Sequence, residues 1–179
     1  WSGVEQLDSS QMSRPLTVAF AILSLASVAL TQVDELAQTR LRAQKGDVKA
    51  QIELGLRHLD GRGVPQDDDQ AERWRQRAAA QDDPKAYVAL GWFYINAEMP
   101  KRDRHRGVSL YLIAAERGDT EAMYNLAEQY DLGRGVLKNE SHAEAAVRWF
   151  RKLADTGDPQ AMASLASHFE EGKGVARDY

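Results

Sequence analysis

One pattern recurs four times along this chain and fixes most of what the chain can become. Ala50, Ala86, Ala122 and Ala161 stand 36, 36 and 39 residues apart, and four positions after each comes Leu54, Leu90, Leu126 or Leu165. The next position is small in every copy (Gly55, Gly91, Ala127, Ala166), and eight after the alanine stands a ring: His58, Tyr94, Tyr130 or Phe169. A second block is anchored on Trp74, Leu110 and Trp149, followed by Ala78-Ala79, Ala114-Ala115 and Leu153-Ala154. Asp47, Asp83, Asp119 and Asp158 keep the same register. A period of this length means stacked supersecondary units, each too small to bury its apolar face alone.

Within one period the spacing is helical. Ala122, Leu126, Ala127 and Tyr130 share one helix face, and Ala143, Ala146, Val147, Phe150, Leu153 and Ala154 form a three-and-four stripe on a second helix. Each unit therefore reads as two antiparallel helices. The recurring aspartate suits an N-cap, and Pro84 and Pro159 directly after two of these caps suit a first helical position. Gly46, Gly118 and Gly157 before the caps suit the left-handed residue that ends a helix. Between the two helices, Gly61-Arg62-Gly63-Val64, Gly133-Arg134-Gly135-Val136 and Gly172-Lys173-Gly174-Val175 read as a turn whose valine folds back as a plug. Asp67, Asn139 and Asp178 follow these turns in one register.

This set of residues resembles the Sel-one-like repeat of the tetratricopeptide-like superfamily. Repeat one carries Ala50, Leu54-Gly55, His58, Gly61-x-Gly63-Val64, Asp67, Ala71, Trp74 and Ala78-Ala79 in the family order. The resemblance implies an all-α fold, a right-handed α-α superhelix of antiparallel helix pairs. It divides the chain into repeat one (47–83), a divergent repeat two (84–119), repeat three (120–158) and a truncated repeat four (159–179). Repeat two lacks the glycine turn between Ile95 and Arg106 and has Leu110 for tryptophan, so its turn has no expected conformation. Residues 30–46 match only the end of a second helix (Ala43, Gly46) and are expected to be a partial cap on repeat one.

The N-terminal region has a different character. Met12 is the expected start, making 1–11 an upstream extension. Arg14 precedes an uncharged stretch from Pro15 to Val33, and Ser27-Val28-Ala29 supplies small residues for cleavage. Residues 12–29 thus read as a signal peptide or an N-terminal anchor, placing the repeats in the periplasm or outside the cell, or holding them on the outer side of the inner membrane.

Charge and composition narrow the functional classes. Lys+Arg 23 against Asp+Glu 27 leaves −4, which gives nucleic acid no electrostatic footing. The absence of cysteine removes disulfides, thiolate metal sites and a cysteine nucleophile. His58, His105, His142 and His168 are scattered and form no His-Glu-x-x-His pair, so neither metal nor cofactor is expected. Asp67-Asp68-Asp69 lacks the alternation of a calcium loop and suits capping. The cluster Lys101, Arg102, Arg104 and Arg106 reads as a solvated loop or as a seat for an acidic partner or a lipid head group.

The resemblance also implies a function: a non-enzymatic scaffold that binds a protein or peptide and meets the membrane only through the N-terminal segment. Two alternatives are an enzyme, since cysteine-rich relatives are linked to β-lactam hydrolysis or binding, and a lumenal adaptor of a eukaryotic quality-control complex. By analogy with tetratricopeptide repeats, first-helix residues outside the signature positions line the binding face. These are Ile52 and Leu56, then Lys85, Val88 and Trp92, then Tyr124 and Glu128. They are expected to form a groove for an apolar or amphipathic segment near Trp92. The competing reading is that Ile52, Leu56 and Val88 only pack between repeats or beneath 31–46.

Overall fold

Nearly every helix in this protein starts on an aspartate. The computed structural model describes residues 34–98, 101–135 and 141–174. Helix α1 occupies 34–44. It is followed by α2 (Val48–Asp60), α3 (Asp68–Ala79), α4 (Pro84–Asn96), α5 (Arg104–Glu116), α6 (Thr120–Asp131), α7 (His142–Ala154) and α8 (Pro159–Glu171). Asp47, Asp119 and Asp158 accept from the amides of Ala50, Ala122 and Ala161 at 2.7, 2.8 and 2.8 Å. Asp83 accepts from the Lys85 amide at 2.8 Å. Asp67 and Asp103 do the same for the second helices α3 and α5. Each cap satisfies an amide that the first helical turn leaves unpaired.

Among the described residues there is no strand, and the helices form an all-α solenoid. Each of α2 to α8 packs on its neighbours in the chain, and α2 also touches α4. The core runs along the stack as adjoining clusters. Leu36, Ala43, Ala50, Leu54 and Val64 join α1 to repeat one. Ala71, Ala78, Leu90, Phe93 and Tyr94 join repeat one to repeat two. Tyr111, Ala115, Met123, Leu126, Phe150 and Ala161 carry the core to α8.

The small position sets how closely paired helices approach. A Cβ on Gly55 would stand 3.1 Å from the Ala71 carbonyl oxygen, and one on Gly91 would stand 3.0 Å from that of Gly107 and 2.9 Å from the Tyr111 ring. The second loop glycine does a related job between units. Gly135, at φ +67°, leaves room for the Arg104 backbone at the start of α5, and Gly174, at φ +69°, lies against Ala143 at the start of α7. Gly63 lies against Leu36 of α1, so α1 meets repeat one as a second helix meets the unit after it. Val64 is buried as the plug of its turn. Val136 and Val175 lie outside the described residues, as do 1–33, which include the signal or anchor segment 12–29.

Two positions depart from the pattern and are compensated. Asp82 stands where the other units have Gly46, Gly118 and Gly157, and takes φ +61° beside their +96°, +90° and +90°. Its carboxylate accepts from the Tyr87 hydroxyl at 2.8 Å and from Arg117 at 2.6 Å, bonds that offset a backbone shape unfavourable to a side chain. In repeat two, the turn without glycines closes on the same backbone bond as in repeat one. Asp103 N–H donates to Tyr94 O at 2.8 Å, as Asp67 N–H donates to His58 O at 2.9 Å. The basic cluster serves this turn. Lys101 pairs with Asp69 and Glu72 of α3, Arg102 donates to Ala97 O, and the Arg106 guanidinium lies 4.3 Å from the Tyr94 ring centroid. The acidic surface that Lys101 meets is thus repeat one itself.

Candidate functional site

The face built by the first helices holds a groove between α2 and α4, with a volume of about 470 Å³. Ile52 and Leu56 line it from α2, Lys85, Val88 and Trp92 from α4, and Glu121 of α6 stands at its far end. The α2 and α4 residues share one face because they stand three and four apart. Val88 is buried and forms floor rather than wall, and Ile52 packs partly onto the Phe93 cluster. Trp92 differs: 43% of its surface is exposed, a large apolar group held open to solvent. Lys49 and Lys85 supply positive charge along the groove, and Glu53 and Glu121 supply negative charge.

Tyr124 and Glu128 are not part of this groove. They line a second one of about 380 Å³ with Asp131, Phe150, Ser164 and His168. Tyr124 packs edge-on against Phe150, with centroids 6.1 Å apart. Burial pushes the Tyr124 hydroxyl above its ordinary range, and the neighbouring Glu128 carboxylate pushes it further. His168 is buried, with Nδ1 2.8 Å from Ser164 O and Nε2 3.2 Å from Asp131 Oδ1. Both partners are oxygen acceptors. Lys173 also pairs with Asp131. Among the described residues no group of His, Asp and Glu is arranged to hold a metal ion.

Arg75 is a groove residue that sequence reasoning misses. Arg75 starts on α3, the outer helix of repeat one, and passes against Gly55 of α2 with its guanidinium 5.4 Å from the Phe93 ring centroid of α4. It emerges as part of the groove lining, yet only 2% of its surface is exposed. Its Nε and Nη1 have no hydrogen-bond partner. Burial pulls the guanidinium down to about 10, partly countered by the charges of Asp60 and Asp68. In sequence it is one of three arginines at alternate positions, Arg73, Arg75 and Arg77, on a helix rich in charge. The available signal is register: Arg75 follows Trp74 as Tyr111 follows Leu110 and Phe150 follows Trp149.

Comparison with known proteins gives one consistent picture. The family model described as Sel1 repeat matches residues 48–83, 84–119, 120–158 and 159–179. The chain is 35% identical over 72 residues to the secretory immunoglobulin A-binding protein EsiB of Escherichia coli, a match covering 40% of this chain and 14% of that protein. Among solved structures, it resembles a protective antigen of uropathogenic Escherichia coli with an SLR fold. There the TM-score is 0.72 at 38% identity, covering 80% of this chain and 30% of the other. A Sel1 repeat protein from Oxalobacter formigenes aligns with a TM-score of 0.67 and 33% identity, covering 79% of this chain and 56% of that one. Cysteine-rich protein B of Helicobacter pylori shares the fold, with a TM-score of 0.54 at 23% identity, covering 73% of this chain and 96% of the other. The chain thus spans less than a third of the two Escherichia coli relatives.

Proposed function

Because the chain belongs to the Sel1 repeat family, whose four matched segments cover nearly all of the described helices, we propose that it is a non-enzymatic scaffold that binds a protein partner through the α2–α4 groove. The observation carrying this reading is Trp92, exposed beside an apolar floor on the first-helix face. A large aromatic group held open in a preformed groove is the usual anchor of a protein contact. Helical repeats place such faces side by side along a rigid stack, which suits a segment laid across several units.

The proposal extends to where the scaffold works. Residues 12–29 act as signal peptide or anchor, 1–11 lie upstream, and 30–46 cap repeat one, so the repeats operate in the periplasm, outside the cell or on the outer side of the membrane. Among the described residues no helix is long and apolar enough to cross a membrane. The hydroxyls of Ser109 and Ser167 bond to the His105 carbonyl and to Glu171. They serve their own helices. The name of the EsiB relative makes secretory immunoglobulin A one defined partner to assay.

The test is affinity capture from envelope and extracellular fractions by the full chain and by Trp92→Ala, with secretory immunoglobulin A as a separate arm. A protein held by the first and lost by the second supports the groove. Equal recovery by both, with the variant folded, overturns it.

A further inference from the structure

Arg75 occupies a position that the other complete units give to an aromatic ring. Tyr111 and Phe150 hold it in repeats two and three, both buried, with Tyr111 lying over Gly91 as Arg75 lies against Gly55. The stack therefore has a well-packed apolar solution for this place, and repeat one does not use it. A guanidinium there forfeits hydrogen bonds at Nε and Nη1, a cost that packing does not recover. The Phe93 ring face offsets part of the charge, but offers no acceptor to those two donors. Two buried donors without a partner call for an explanation.

The surroundings define that partner. Arg75 lines the α2–α4 groove, and a carboxylate is the group that pairs best with a guanidinium. Lys49 and Lys85 add positive charge, so with Arg75 the lining carries three cations against Glu53 and Glu121. The rest of the groove is apolar, through Ile52, Leu56, Val88 and Trp92. Arg75 is 2% exposed, so a carboxylate has to reach it on a side chain that enters the groove. A glutamate side chain has the length to descend. We propose that the groove binds an apolar segment of a partner protein through one inward-pointing glutamate whose carboxylate pairs with Arg75, while apolar neighbours pack on Trp92.

This inference rests on the groove being the binding face, and its test separates the two. A displayed library of random dodecapeptides is selected on the full wild-type chain and on Arg75→Tyr, which installs the ring used in repeat two. Wild-type selection is expected to enrich glutamate flanked by apolar residues, and Arg75→Tyr to keep the apolar preference and lose the glutamate. The strongest synthetic binder is then compared with its Glu→Gln form by fluorescence anisotropy. The exchange is expected to weaken binding at least tenfold on the wild type and less than twofold on Arg75→Tyr. Arg75→Tyr is also expected to melt a few degrees higher than the wild type, because the ring strands fewer donors than the guanidinium. Should that variant not fold, Arg75→Lys serves, with the Glu→Gln penalty reduced because the paired donors are gone. Binders that depend on Trp92 yet tolerate Glu→Gln overturn the role of Arg75 and leave the groove standing. Failure to obtain any binder sensitive to Trp92→Ala overturns both.

Discussion

Helices α6 and α8 carry the same signature, alanine, then leucine four residues on, then a small residue, and the molecule treats them differently. In α6, Ala122, Leu126 and Ala127 are all fully buried, between α5 on one side and α7 on the other. In α8, Ala161 is fully buried, but Leu165 is only partly covered, Ala166 is exposed and Met162 is 49% exposed. Among the described residues α8 has a second helix on one side only. Burial in this architecture is supplied by the next unit; a helix's own sequence prepares a face and cannot close it.

The widest gap is expected at the leucine. Leu126→Ala should cost about 2–5 kcal/mol, whereas Leu165→Ala should cost about 1 kcal/mol, both read from urea unfolding curves. Equal losses would mean that α8 is covered as fully as α6. Enlarging the small position reverses the sense of the change. Ala127→Leu forces side-chain bulk into a filled core and should cost about 1–3 kcal/mol, while Ala166→Leu should fall within about 0.5 kcal/mol of the parent by the same measurement.

The caps give a smaller contrast. Asp119→Ala should destabilise the fold by about 1 kcal/mol through loss of the bond to the Ala122 amide. Asp158→Ala removes an equivalent bond from a helix that opens more easily, so amide exchange should respond locally in α8 before global stability changes. The smallest effect concerns pH at the joint between repeats one and two. Burial pushes the Glu72 carboxyl up, but hydrogen bonds from Tyr94 and Lys101 and the nearby positive charges of Lys101 and Arg106 outweigh it, leaving it below the ordinary 4.5. A folded value below the unfolded one adds stability above that pH, which drains as the pH falls through the folded value. Thermal melts from pH 6 to pH 3 should therefore decline less steeply for Glu72→Gln, and α8 amides should show no matching response.

How much of this was legible depended on whether a feature repeats. Asp47, Asp83, Asp119 and Asp158 announce caps because they return in register, and the helix pairs follow from alanine and leucine at three- and four-residue spacing. The groove residues of α2 and α4 came from the analogy with tetratricopeptide repeats, and three- and four-residue spacing explains why they share a face. Tyr124 and Glu128 separate from them because their surroundings come from α7 and α8, whose Phe150 and His168 no local pattern links to them. Lys101 could not be matched to Asp69 and Glu72, about thirty residues back, since an ion pair between units leaves no periodic trace. Arg75 was hidden by its neighbours: on a helix so charged, an arginine reads as solvated until the packing of α2 against α4 is known. Asp103 was in register with Asp67 all along, masked by the missing glycines around it.

Contacts that run almost wholly between successive helices have a mechanical corollary. Pulled from the α8 side, the described helices would part at the half-covered α8 first, and each hairpin released would leave the one before it as the new exposed end. The molecule should lengthen in steps of roughly one repeat, with resistance rising as the tension reaches the interior units, in contrast to a globule that ruptures at once.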